Sequence, residues 1–164
     1  LFLIIAVLSL ATGPAIAQQA VLLIRHADIQ LEDPNSPTQG DPPLVEAGHR
    51  RAKSLVNLFK DAGIKAIFTS DSLRTLQTAE PLAQGLKIQP VKVLRKDRET
   101  LIPRLRAEHS KDFVLIISHV QDIPEFVKAL GSSEEVKIDR ADFDRLFVVV
   151  PKSEGPPLLL RLRY

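Results

Sequence analysis

An α/β domain built on a mostly parallel β-sheet is what this sequence predicts. Three short apolar runs carry the prediction: Val21–Ile24, Ala66–Phe68 and Phe113–Ile117. None alternates apolar with polar residues, which is the pattern of a strand covered on both faces. Stretches of helical period lie between them.

The first strand ends on Arg25 and His26. Ile29–Pro43 then holds Pro34, Pro37, Gly40, Pro42 and Pro43, so it is expected to be a long loop forming a wall of any site at that strand end. Glu46–Ala62 reads as an amphipathic helix, with Ala52, Leu55, Val56 and Phe59 inward and Gly63 as its stop. Its other face carries His49, Arg50, Arg51, Lys53 and Asn57. The strand Ala66–Ser70 leads to a helix over Ser72–Gln84, capped by Asp71 or Ser72 and closed by Gly85. Leu73, Leu76, Ala79, Glu80 and Ala83 form its expected inner stripe. Val91–Leu94 reads as a short strand followed by the charged Arg95–Glu99. Pro103 suits a first helical turn, so a short helix is placed from Ile102. The strand Phe113–Ser118 ends on His119. Asp122-Ile123-Pro124 opens a helix with Ile123, Phe126, Val127 and Leu130 on one face, closed by Gly131. Arg145–Val150 and Leu158–Leu162, joined by Pro151–Pro157, read as an antiparallel hairpin at the sheet edge.

At 164 residues and 45% hydrophobic content, the chain supports one domain with a substantial core. Its net charge of +2 is dispersed, without a run of five or six like charges, which argues against a nucleic-acid partner. The absence of cysteine rules out disulfides, a thiolate nucleophile, zinc–cysteine sites and a lipidated N-terminal cysteine. Leu1–Leu10 is apolar apart from Ser9, Thr12-Gly13-Pro14 breaks the run, and Ala15-Ile16-Ala17 offers a small-x-small cleavage site. Residues 1–17 are therefore expected to be a signal peptide, N-terminally incomplete because initiator Met and basic flank are missing. Residues 18–164 would then be a periplasmic or secreted domain with no stable membrane anchor after cleavage.

Ligands of parallel sheets collect at the carboxyl ends of the strands. Three such ends here offer Arg25, His26, Arg74 and His119, a set suited to phosphate. A guanidinium donates two parallel hydrogen bonds to phosphoryl oxygens and keeps its charge. A neutral imidazole with one nitrogen held protonated attacks phosphorus through the other, the role given to His26. A protonated imidazole stabilises the transition state by donating to the oxygens, the role given to His119. His49 and His109 lie on a polar helix face and in a charged segment, and receive no role. No third ligand has the spacing of a metal site.

Four segments in order resemble the histidine phosphatase superfamily, also called phosphoglycerate mutase-like. L-L-I-R-H-A at 22–27 resembles its R-H-G signature, and L-V-E-A-G-H-R-R-A at 44–52 its L-T-x-x-G-x-x-Q-A helix start. T-S-D-S-L-R-T-L-Q-T-A at 69–79 is similar to S-x-x-x-R-T-x-Q-T-A, and V-L-I-I-S-H at 114–119 to the second histidine strand. The resemblance implies a three-layer α/β/α sandwich of a compact, capless member, with a phosphohistidine intermediate on His26. It implies Arg25, Arg74 and His119 as the phosphate pocket, and no metal or organic cofactor.

The chain departs from the family pattern at Ala27, where Gly is common, at Val45, where Thr or Ser is, and at Val120, where Gly or Ser is. The proton donor to the leaving group has no clear local match; Asp97, Glu99, Asp28 and Asp122 are the candidates. Without a donor, such an enzyme is restricted to good leaving groups such as phosphohistidine or acid anhydrides. The expected activity is metal-independent hydrolysis of a phosphomonoester or similar phosphoryl compound, on a small substrate or a phosphoprotein. The alternative is a catalytically inactive phosphate-binding or interaction module of the same fold.

Overall fold

A computed structural model describes residues 20–30 and 40–164. The expected signal peptide and residues 31–39 of the proline-rich loop lie outside the described residues. The elements are β1 (Ala20–Arg25), α1 (Glu46–Phe59), β2 (Ile64–Ser70), α2 (Leu73–Leu86), β3 (Val91–Val93), a 3₁₀ segment (Arg95–Thr100), α3 (Leu101–Glu108), β4 (Phe113–Ser118), α4 (Asp122–Ala129), β5 (Arg145–Val150) and β6 (Leu158–Arg163).

The six strands form one sheet in the order β3-β2-β4-β1-β5-β6. β3, β2, β4 and β1 run parallel, while β5 is antiparallel to β1 and β6 to β5. The last two strands are the expected edge hairpin. Strand side chains alternate between two cores. Val21 and Leu23 pack with Leu105 of α3 and with Ile123 and Val127 of α4. Leu22 and Ile24 pack on the other face with Leu55 and Phe59 of α1 and Leu82 of α2. A strand buried on both sides has no solvent face to make polar, which explains its continuous apolar run. Each such side chain contributes about 1.5–3 kcal/mol on full burial. The result is a three-layer α/β/α sandwich.

Helix α1 buries Gly48, Ala52, Leu55 and Phe59, and it ends at Phe59 rather than Ala62. Its N-cap, Val45, makes no side-chain cap bond, and Glu46 places negative charge in the first turn. Helix α2 departs further from expectation. It runs past Gly85 to Leu86 and ends where Lys87 adopts a left-handed φ of 56°. Its buried stripe is Thr75, Thr78, Ala79, Leu82 and Ala83, whereas Leu73 and Glu80 are exposed. The rotation follows from hydrogen bonding. Thr78 Oγ1 donates to the Arg74 carbonyl (2.7 Å) and accepts from Ala27 N–H (2.9 Å), so a threonine is buried without an orphaned hydroxyl. Ser72 occupies the N-cap position without capping. The carboxylate of Asp41 caps instead, its two oxygens 3.0 and 2.9 Å from Leu73 N. No helix among the described residues is long and apolar enough to cross a membrane.

Strand register aligns the ends that matter. Arg25 pairs with Ser118 across β1 and β4, and Thr69 with Ile117 across β2 and β4. His26 N–H then donates to the Ser118 carbonyl (2.9 Å), continuing the ladder one residue beyond β1.

Two glycines give a test of this packing. A Cβ on Gly48 would press into the Asp28 backbone, whose nitrogen would be 3.0 Å away and its carbonyl oxygen nearer still. A Cβ on Gly85 would meet Val56 Cγ1 at an ordinary 3.5 Å. Gly48→Ala is expected to destabilise by about 1–3 kcal/mol in urea unfolding. Gly85→Ala is expected to stabilise by about 0.5–1 kcal/mol, because alanine is the better helix former. Equal effects would mean that α1 does not rest on the Asp28 backbone.

Candidate active site

Side by side at the ends of β1 and β4, His26 and His119 hold their ring centroids 5.4 Å apart. Both are buried, His26 to 4% exposure and His119 to 9%. His26 Nδ1 lies 2.9 Å from the carbonyl oxygen of Ala27. A carbonyl only accepts, so Nδ1 carries the proton and Nε2 keeps its lone pair. Burial pushes the His26 pKa down to about 3; the Ala27 bond opposes this, and the charges of Arg25, His119 and Arg74 add to it. His26 is therefore a neutral imidazole at physiological pH.

His119 faces the hydroxyls at the end of β2. Its Nε2 is 3.0 Å from Ser70 Oγ and 3.4 Å from Ser72 Oγ, and its Nδ1 is 3.4 Å from Arg74 Nη2. Arg74 is held from outside by Asp41, with Nη1 3.0 Å from Oδ1. Arg25 is anchored from a different direction. Its Nη1 donates to the carbonyls of Arg140 (2.7 Å) and Asp142 (3.2 Å), and its guanidinium lies 3.9 Å over the Phe143 ring. Burial lowers the pKa of both arginines, and the charge of Arg74 lowers that of Arg25 further. On each, Nε–H is buried with no hydrogen-bond partner. The four residues singled out in the sequence thus converge on one end of the sheet.

Of the candidate proton donors, two are occupied by ion pairs and two are exposed. Burial alone would raise the Asp28 pKa, but the hydrogen bonds and charge of Arg51 outweigh it and hold the carboxyl below the usual range. The two Asp28 oxygens take Arg51 Nε at 2.6 Å and Nη2 at 3.3 Å. Asp122 is buried, accepts the Ser118 hydroxyl at 2.8 Å, and pairs with Arg98. Asp97 and Glu99 are exposed on the 3₁₀ segment. A cavity of about 250 Å³ opens beside Arg74 and His119, with Phe68, Leu94, Leu101 and Phe126 on its apolar side. Asp122 and its partner Arg98 also line it, whereas Asp97, Glu99, Arg25 and His26 do not.

His49 is exposed, and His109 bonds Asp112 at 2.9 Å with its ring edge against Phe68, both apart from the site. Among the described residues, no three His, Asp or Glu side chains cluster to hold a metal ion. Sequence reasoning missed Asp41, Ser70, Ser72 and Thr75. The last three sit in the same T-S-D-S-L-R-T run as Arg74, so adjacency to an assigned arginine was an available signal. Asp41 offered none, since it reaches Arg74 across 33 residues.

Comparison with known proteins agrees with this fold. Residues 21–101 match the family model of the histidine phosphatase superfamily (branch 1). The chain is 42% identical over 66 residues to a probable phosphoglycerate mutase GpmB of Cronobacter sakazakii, 40% of this chain and 31% of that protein. A GpmB of Proteus mirabilis is 38% identical over 68 residues, 41% of this chain and 32% of the relative. The matched segment thus spans about a third of the curated relatives. Among solved structures, the protein histidine phosphatase SixA complexed with tungstate has a TM-score of 0.68 at 20% identity, covering 88% of this chain and 96% of that one. A phosphoglycerate mutase from Bacillus anthracis has a TM-score of 0.69 at 16% identity, covering 88% and 92%. At such identities these structures speak for the fold. Family match, fold and the order of the motif segments agree, and the chain belongs to the histidine phosphatase superfamily.

Proposed function

We propose that this chain is a phosphatase that takes a phosphoryl group onto His26 Nε2 and passes it to water. The observation that carries the reading is the fixed tautomer of His26, a buried neutral imidazole whose bare nitrogen belongs to a site with two guanidiniums and a second imidazole. In the first step the Nε2–P bond forms as the bond to the leaving group breaks, and the leaving group takes the electron pair. In the second, water attacks phosphorus as the Nε2–P bond breaks; His26 regains its lone pair, and the protons of the water leave on the released phosphate. The buried Nε–H groups of Arg25 and Arg74 support a role as donors to the phosphoryl oxygens, because a charged donor buried without a partner is costly until an anion arrives. His119 adds a further contact to the transferring group. These steps use side chains alone.

The four acid candidates are either ion-paired or exposed outside the cavity wall. That supports substrates whose leaving group departs without a proton donor, a phosphohistidine or an acid anhydride rather than an alkyl phosphate. The fold neighbour named as a protein histidine phosphatase is in keeping with this choice. We extend the reading to an exported, periplasmic or secreted enzyme on the strength of the apolar Leu1–Leu10 run and the Ala15-Ile16-Ala17 site. The competing reading, a phosphate-binding module without turnover, keeps the two arginines and drops the covalent step.

Rapid-quench of the full chain with an activated aryl phosphate tests this. Acid-labile, base-stable phosphate is expected on wild type and not on His26→Ala. Phosphate binding without label or turnover would favour the module, and turnover by His26→Ala would rule out the proposed nucleophile. Arg74→Ala is expected to lower kcat/KM by about 10²–10³-fold, with a thermal midpoint close to wild type. Unchanged turnover would remove Arg74 from the site.

The neutral state of His26 also has a stability signature. Its folded pKa of about 3 lies below the ordinary value of 6.5. Between these values the unfolded chain binds a proton that the folded chain refuses. This contribution is present in full above about pH 6.5 and is lost as pH falls toward 3, at up to about 1.4 kcal/mol per unit. Urea unfolding between about pH 7 and pH 4 should therefore show a shallower acid slope for His26→Asn than for wild type. Identical slopes would mean that His26 titrates normally in the folded chain.

A further inference from the structure

We propose that Ser70 is a positioning residue: it fixes the proton of His119 on Nε2 and leaves Nδ1 as the nitrogen presented to Arg74. One chain of hydrogen bonds fixes each proton in turn. Thr75 Oγ1 has a single hydrogen, and it lies 2.8 Å from the Ser72 carbonyl and 3.1 Å from the Ser70 carbonyl. Carbonyls only accept, so that hydrogen is committed to the backbone. Ser70 Oγ is 2.8 Å from Thr75 Oγ1, and Ser70 must be the donor of that bond. Its only hydrogen is thereby used. At 3.0 Å from His119 Nε2, Ser70 Oγ can only accept, and Nε2 must carry the proton. Ser72 N–H, 3.3 Å away, fills the remaining lone pair of Ser70 Oγ.

The other side of the ring is compatible with this assignment but does not fix it. Arg74 Nη2, a donor in every state of a guanidinium, lies 3.4 Å from His119 Nδ1, a long contact that favours an accepting Nδ1 but holds the tautomer far less firmly than the 3.0 Å bond to Ser70. Ser72 Oγ, at 3.4 Å from Nε2, is a poorer acceptor than Ser70. The assignment gives the two imidazoles opposite tautomers, Nδ1–H on His26 and Nε2–H on His119. Any second proton that His119 takes up must go to Nδ1, on the Arg74 side. The tautomer does not depend on what the enzyme does; its effect on turnover rests on the phosphatase reading.

The full chain labelled with ¹⁵N-histidine, read by long-range ¹H–¹⁵N correlation, reports the tautomer of each ring, and the spectrum of His119→Gln assigns the signal. Wild type and Ser70→Thr are expected to show Nε2–H at His119, and Ser70→Ala to lose that preference while its other resonances stay in place. With an aryl phosphate, Ser70→Ala should lose about tenfold or more in kcat with little change in KM, and Ser70→Thr should recover most of it. An Nδ1–H signal in wild type, an unchanged tautomer in Ser70→Ala, or a Ser70→Thr chain as impaired as Ser70→Ala would overturn the proposal. The expected tautomers in a chain without turnover would uphold the role of Ser70 and count against the phosphatase reading alone.

Discussion

The parallel pairing of β1 with β4 is the constraint on which the rest of this structure depends. With Arg25 level with Ser118, the two histidines must leave adjacent strands together. His26 N–H is bound to the Ser118 carbonyl, so neither strand end can slide without breaking the ladder. A slip of one residue would also exchange the two faces of β1, sending Val21 and Leu23 toward α1 and Leu22 and Ile24 toward α4. Core packing therefore specifies the register, and the register sets the separation of the imidazoles. The site inherits its geometry from hydrophobic burial well away from any reacting atom.

What the core cannot supply is charge compensation, and that comes from the surrounding loops. The two guanidiniums repel each other, and each is tethered to a surrounding loop. Arg25 is tethered by the carbonyls of Asp139, Arg140 and Asp142, and Arg74 by Asp41. These tethers hold one nitrogen of each guanidinium and leave Nε–H unpaired. Asp41 also caps α2, so a single carboxylate positions both the helix and the arginine that begins it. The helix start, the loop after β1 and the end of β4 are thus joined at Arg74.

The sheet and the four convergent residues were legible because their signals are local. An apolar run of four or five residues reports burial on both faces, and Arg25, His26 and His119 directly follow such runs. The turn of α2 was misread because Thr75 and Thr78 count as polar in a periodicity, although each hides its hydroxyl against a backbone carbonyl. Gly85 looked like a stop, yet Lys87 supplies the left-handed residue two positions later. The true cap, Asp41, lies in a proline-rich loop whose path no local pattern reports. Asp28 and Asp122 were sensible acid candidates by position. Only tertiary contacts with Arg51 and with Ser118 and Arg98 reveal them as occupied.

Those occupied carboxylates carry a further argument about the chemistry of the site. Histidines in active sites are often oriented by a carboxylate, which raises their basicity and adds negative charge. Here the groups that accept the ring protons are uncharged, the Ala27 carbonyl for His26 and the Ser70 hydroxyl for His119. Of the nearby carboxylates, Asp28 is bound to Arg51, Asp122 to Arg98, and Asp41 to the outer nitrogen of Arg74. A phosphoryl group approaching His26 carries its own negative charge, and a carboxylate beside it would oppose binding by Coulomb repulsion that burial strengthens. Orienting both imidazoles with neutral acceptors avoids that repulsion, while it forgoes the proton a carboxylic acid would have given the leaving group. In the proposed phosphatase, this one arrangement underlies both the binding of an anion and the preference for leaving groups that depart unaided.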